Sequence, residues 1–145
     1  MLAACSGGGH WEQMMLLRPM LDRFDTVYAT TIPELGSREG IELVAVLPDA
    51  NRDTPAAMMR GWQAARRLVQ DVRPDVIVST GALPGLMCLA AGRLSNARTL
   101  WLDSVANSER LSVSGKLASR FATRCMVQWE HLARPPAILF DGSLL

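Results

Sequence analysis

The sequence predicts an α/β domain: a Rossmann-like, mainly parallel sheet with helices on both faces. Three observations carry that expectation. Short apolar runs alternate with stretches of helical periodicity, about 10 to 18 residues each, the pattern of βαβ units. Small-residue turns follow two of the apolar runs, at residues 6–9 and 80–85. The chain has 145 residues, of which 49% are hydrophobic and 20% charged, as expected for one globular domain over 1–145 with a substantial core.

The elements follow in order. Residues 2–5 are an apolar run suited to a buried parallel strand. Ser6, Gly7, Gly8 and Gly9 make a turn, and from Trp11 the chain takes up helical spacing, with Met14, Leu17, Leu21 and Phe24 as a core-facing stripe. Pro19 kinks that helix or starts a new turn. A second strand is expected at 26–30, a loop around Pro33 and Gly36, and a third strand at 43–47. Thr54 or Asp53 caps the next helix, with Pro55 at its first position. Met58, Trp62, Ala65, Val69 and Val72 share one face of it, while Arg60, Arg66 and Arg67 lie mostly on the others. Residues 76–79 form a central strand, followed by the small-residue loop 80–85 and a helix. A fifth strand at 99–102, a helix at 111–123, a sixth strand at 125–128 and a candidate seventh at 138–140 complete the chain.

Several classes of function are argued against. A net charge of +1 gives no electrostatic case for nucleic acid. Cys5, Cys88 and Cys125 are odd in number and widely spaced in apolar runs, which suits small buried residues of a reducing compartment. His10 and His131 have no cysteine or histidine at ligand spacing, so no metal set is visible, and no cofactor is implied. No secretory leader is evident, because glycine and His10 arrive too early for an apolar core. The uncharged run 76–92 is long enough for a membrane span, but Gly81, Pro84 and Gly85 divide it into strand, turn and helix. No Gly-x-Ser-x-Gly elbow is present. A dinucleotide fingerprint needs glycine where Glu12 stands and an acid where Tyr28 and Ala29 stand, and a P-loop needs a Gly-Lys-Ser/Thr ending.

Ligands of open parallel sheets gather at the carboxyl ends of the strands. This topology brings residues 6–10, 80–85, 103–107 and 129–131 to that edge. A strand, a glycine turn and a helix start form an anion site, because free N–H groups and the positive end of the helix dipole point into the turn. His10 is the titratable group placed to face such a ligand. The plainer alternative is a tight turn needing glycine only for packing, with His10 capping its own helix.

Four segments together resemble a known family. Ser6-Gly7-Gly8-Gly9-His10 is similar to its Ser-Gly-Gly-His loop, with one extra glycine. Val78-Ser79-Thr80-Gly81-Ala82-Leu83-Pro84-Gly85 resembles its second loop. Asp103-Ser104, followed by Leu111-Ser112-Val113-Ser114-Gly115-Lys116-Leu117, resembles its acid-Ser and Leu-Ser-x-x-Gly-Lys segments, with Asp where the family usually has Glu. Val127-Gln128-Trp129-Glu130 resembles a fourth. The family is the acceptor-side subunit of the two-chain UDP-N-acetylglucosamine transferase of lipid-linked oligosaccharide synthesis, with its bacterial counterparts in exopolysaccharide synthesis. Eukaryotic members begin with a membrane helix that this sequence does not show, which points to a bacterial-type member.

The resemblance implies the amino-terminal half of a GT-B glycosyltransferase, a domain that takes a polyprenyl-diphosphate sugar while a companion chain brings the UDP-sugar. The chain is then a hexosyltransferase subunit inactive without its heterodimer partner, bound peripherally to the cytoplasmic face of the membrane. Met14, Met15 and Met20, with Arg60, Arg66 and Arg67, suggest that reversible attachment. Catalytic candidates are His10, with Glu12 and Asp103 as alternative bases. Ser6, Gly7, Gly8, Gly9, Thr80, Gly81, Ala82 and Ser104 would line the acceptor site. Trp129 and Glu130 would face the partner, and the apolar tail 134–145 would dock on it. The rival reading is a non-catalytic α/β ligand-binding or scaffold module; an epimerase acting on nucleotide sugars alone would need a second domain.

Overall fold

The computed structural model describes residues 1–49 and 54–144. The strands are β1 (Leu2–Cys5), β2 (Val27–Thr30), β3 (Val44–Val46), β4 (Val76–Gly81), β5 (Arg98–Leu102) and β6 (Arg124–Met126). They form a single sheet in the order β3-β2-β1-β4-β5-β6. Every neighbouring pair is parallel. The strand order reverses between β1 and β4, and a cleft opens outside the carboxyl ends at such a switch point. The expected sheet is the one observed.

Alternation along β1 divides the core. Leu2 and Ala4 pack with Ala65, Val69, Leu86 and Leu89, which belong to α4 (Pro55–Val72) and α5 (Ala82–Leu94), and with Ala118 of α6 (Val113–Ala118). Ala3 and Cys5 face the other way, onto Trp11 and Met14 of α1 (Gly9–Leu16) and Leu21 of α2 (Arg18–Leu21). Successive strand residues point to opposite faces, so four fully buried residues seal two cores. Pro19 does open a new helical turn, α2, where its missing N–H is harmless.

Some expectations are corrected. Pro33 and Gly36 do not make a plain loop: Pro33 caps a five-residue helix, α3 (Glu34–Arg38). Phe24 is 55% exposed, because α2 ends at Leu21 and the stripe ends with it. The second small-residue loop shrinks to a junction: Thr80 and Gly81 close β4, and Pro84 and Gly85 lie inside α5. The helix at 111–123 is shorter, running over α6 with Ser112 as its cap. Asp53 lies outside the described residues.

The tail turns back on its own chain. Leu139 N donates to Cys125 O and Val127 N donates to Leu139 O, both at 2.9 Å, so Leu139 bridges beside β6 as an isolated pairing. Leu144 N donates to Gln128 Oε1 at 2.9 Å. Among the described residues no helix is long and apolar enough to cross a membrane.

Candidate functional site

The first loop leads directly into α1. Gly8 is the N-cap with φ 69°, a left-handed conformation that suits glycine, and its carbonyl accepts Trp11 N at 2.9 Å and Glu12 N at 3.1 Å. The amides of Gly9 and His10, ahead of those bonds, belong to the donors a helix start leaves without intrahelical partners. Gly9 has nothing within 4 Å of where a Cβ would stand. His10 is the second residue of this helix.

His10 is clamped to the end of β4. Its Nδ1 lies 3.0 Å from Thr80 O, and Thr80 Oγ1 donates back to His10 O at 2.6 Å. A carbonyl oxygen only accepts, so Nδ1 is the donor in this contact, and Nε2 is the ring nitrogen it leaves uncommitted. The ring therefore does not cap its own helix. It lies over Gly81, where φ is 149° and a Cβ would collide with the imidazole. Ala82, at φ 64°, turns the chain into α5.

Between these elements lies a hollow of about 430 Å³ lined by Gly9, His10, Ala82, Ser104, Ala106, Asn107, Ser112, Val113 and Ser114. Four residues expected at the site, Gly9, His10, Ala82 and Ser104, therefore meet. Thr80 and Gly81 stand behind His10, fully buried, and Ser6, Gly7 and Gly8 precede the hollow in the loop. Gly7 N is taken by Thr31 Oγ1 at 3.0 Å. Glu12 is exposed and outside the lining. A larger hollow of about 750 Å³ opens by Arg73, Pro74, Ser95 and Asn96, at the amino ends of β4 and β5, the opposite edge from where such sheets bind ligands.

Asp103 is 2% exposed and also outside the lining. Its Oδ1 accepts Trp101 Nε1 at 3.0 Å and Ser112 Oγ at 2.6 Å. Its Oδ2 accepts Ser112 N at 3.0 Å and Asn107 Nδ2 at 3.3 Å. Those bonds occupy roughly the four lone-pair sites a carboxylate has. Ser112 Oγ in turn accepts Gly115 N at 2.8 Å, so the acid holds the cap of α6. Gln13 of α1, 4% exposed, holds the same wall from behind. Its Nε2 donates to Asp103 O at 3.3 Å and its Oε1 accepts Val105 N at 3.2 Å. Sequence reasoning gave no role to Gln13, Asn107, Ser112 or Ser114. Asn107 was expected at the carboxyl edge, and Ser112 and Ser114 within a family-like segment; for Gln13 the available signal is its place three residues after His10 on one helix.

Trp129 is 38% exposed, and its Nε1 donates to Val105 O at 2.8 Å. Glu130 is exposed and starts a 3₁₀ turn, Glu130–Leu132. Burial pushes the thiols of Cys5, Cys88 and Cys125 up to about 12, which leaves all three inert at neutral pH. Among the described residues no group of three or more His, Cys, Asp or Glu side chains is placed to hold a metal ion.

Solved structures share this fold. The chain superposes on Acinetobacter baumannii MurG with a TM-score of 0.76 at 12% identity, covering 96% of this chain and 45% of that one. A UDP-N-acetylglucosamine 2-epimerase gives 0.71 at 12% identity, covering 99% and 48%. The chain thus spans less than half the length of either, and these likenesses concern the fold alone.

Sequence relatives are more specific. The UDP-N-acetylglucosamine transferase subunit ALG14 of Yarrowia lipolytica is 26% identical over 174 aligned positions, spanning 100% of this chain and 81% of the relative. The protein of the same name from Eremothecium gossypii is 35% identical over 95 positions, 59% of this chain and 42% of the relative. The family model described as oligosaccharide biosynthesis protein Alg14 like matches residues 52–139. The chain belongs to that Alg14-like family of oligosaccharide biosynthesis proteins.

Proposed function

We propose that the chain is the acceptor-side subunit of a glycosyltransferase that moves N-acetylglucosamine from its UDP derivative to a polyprenyl-diphosphate-linked sugar. The observation that carries this reading is His10, fixed by Thr80 O at 3.0 Å on the first turn of α1 and lining the hollow at the switch point. The names of the fungal relatives support the transferase class and, through the word subunit, a second chain that holds the nucleotide sugar.

In this reading the Gly8–Gly9 turn and the amides at the start of α1 hold the acceptor's diphosphate. His10 Nε2 takes the proton of the acceptor hydroxyl as that oxygen attacks the anomeric carbon, and UDP leaves. Holding donor and acceptor face to face lowers the barrier, and that is the work of the assembled pair. Asp103 and Gln13 act as positioning residues: they hang the wall bearing Ser104 and Asn107 at a set distance from His10. Glu12, outside the hollow, is left to the helix surface, where an acid in the first turn favours the dipole. Trp129 and Glu130 are exposed at the carboxyl edge, where the companion would meet this chain.

Membrane attachment completes the proposal, because the acceptor is anchored in lipid. Met14 cannot serve it, being fully buried, whereas Met20 is 39% exposed. The test is reconstitution: transfer from UDP-N-acetylglucosamine to a lipid-linked acceptor, measured for the chain alone and with its companion. Transfer only by the pair supports the reading. Robust transfer by the isolated chain, or none by the pair, contradicts it.

A further inference from the structure

The hollow beside His10 has a neighbour. A second hollow, also of about 430 Å³, shares Asn107, Ser112 and Val113 with it and adds Arg110, Leu111 and Lys116. The three common residues are a wall between two adjoining lobes. His10 lines the first lobe and not the second, and the two cations line the second and not the first.

Arg110 and Lys116 are uncommitted. Among the described residues the ion pair is Arg18 with Asp22 alone, and neither cation's side chain makes a hydrogen bond. The acids nearest in sequence, Asp103 and Glu109, stand outside both linings. The Asp103 carboxylate is already occupied by Trp101, Asn107 and Ser112. Two cations with no acid in the lining suit an anion.

The backbone that carries them is fixed relative to α1. Trp129 Nε1 donates to Val105 O at 2.8 Å, and His131 Nε2 lies 2.7 Å from Ser108 O. Asn107 is tied to Asp103, and Ser112, the cap of α6, is bonded to the same carboxylate. Gln13 of α1 holds Asp103 O and Val105 N. Charges on so braced a wall need little rearrangement to meet a developing charge.

This order of groups fits displacement at a sugar's anomeric carbon. The acceptor hydroxyl gives its proton to His10 Nε2 as its oxygen bonds to that carbon. On the far side the bond from carbon to the β-phosphate oxygen breaks, and its electron pair leaves on UDP. Base and leaving diphosphate therefore need separate places in one cleft. We propose that the lobe with Arg110 and Lys116 receives the diphosphate of the leaving UDP and offsets the charge that develops on it. The proposal rests on the acceptor-side reading above. It adds that this chain also supplies charge to the donor its companion holds.

The test uses the reconstituted pair, with Arg110→Gln and Lys116→Gln made singly and together. Both side chains are exposed, so folding should not depend on them. The double variant should lose at least about tenfold in kcat, with KM for the lipid-linked acceptor unchanged. Inhibition by UDP should weaken by about tenfold as well, a readout that a merely structural role would not move. Unchanged kcat and UDP inhibition overturn the proposal. A raised acceptor KM at unchanged kcat also overturns it, because the cations then hold the acceptor's own diphosphate. So does failure of the double variant to assemble, which makes them interface cations. In each of those cases transfer by the wild-type pair leaves the acceptor-side reading standing. No transfer by the wild-type pair defeats that reading and this proposal with it.

Discussion

The β1–α1 and β4–α5 junctions share a plan of strand, small residues and helix, yet they are used in opposite ways. At the first, Gly8 and Gly9 face open space, with nothing within 4 Å of an added Cβ. At the second, Thr80 and Gly81 are fully packed, and the imidazole of His10 lies where a Gly81 side chain would be. Small residues thus leave room for a ligand at one junction and for a neighbouring side chain at the other. The lesson is that a glycine at a strand end does not by itself mark a binding loop.

The largest expected effect of breaking this contrast comes at the packed junction. Gly81→Ala puts a Cβ into His10 at a positive φ, and should cost about 2 to 3 kcal/mol of stability. Transfer by the assembled pair should fall with it, because the ring must move. Thermal unfolding and transfer assays on the same preparation check both. A variant as stable as the parent would mean that the ring is not held where the structure has it.

Next comes the open junction. Gly9→Val should leave stability within about 0.5 kcal/mol, since a Cβ at that position has nothing within 4 Å. Affinity for inorganic diphosphate should drop about tenfold, because the backbone can no longer come close to the anion. Calorimetric titration reads the affinity, and a loss of stability matching that of Gly81→Ala would erase the distinction between the two loops.

Smaller still is Thr80→Val. It removes the hydroxyl that donates to His10 O but keeps the carbonyl that accepts from Nδ1. Stability should fall by about 1 kcal/mol, with transfer largely retained. A variant of full stability but without transfer would show that the hydroxyl, not the carbonyl, orients the ring.

The smallest effect is a labelling difference. Cys5 ends β1 just before the open loop, and Cys88 lies in α5 beyond the packed one; burial holds both thiols near 12 against the usual 9. Because the folded values are raised, their stabilising contribution is complete below pH 9 and is lost as pH rises toward 12. At pH 8, iodoacetamide should label the native chain about 10²-fold or more slowly than the unfolded chain at both positions. Mass spectrometry after timed quenching resolves the two. Early labelling of Cys5 alone would mean that the open loop also unfolds locally.

Much of the fold was legible because apolar runs and helical stripes state their period locally. His10 and the clustering at the carboxyl edge followed from that topology. The packed junction was misdrawn because Gly81, Pro84 and Gly85 read as breakers, whereas Pro84 fits the first turn of a helix, where no intrahelical donor is needed. Helix α3, at five residues, is too short to show a period. Gln13 was passed over because its partners, Asp103 and Val105, lie 90 and 92 residues away, and no local pattern announces a buried amide. No local pattern announces that Ile138 and Leu139, in the tail expected to dock on the partner, also bridge to Arg134 and Met126 of their own chain.

The central claim is that His10, aligned by Thr80, serves as the base at the open junction. The direct measurement is the turnover of the reconstituted pair with His10→Ala, with assembly verified by gel filtration. The account predicts a fall in kcat of about 10²-fold or more, with folding and partner binding unchanged. Unchanged turnover in a folded, assembled variant would contradict it and leave His10 as packing for Gly81.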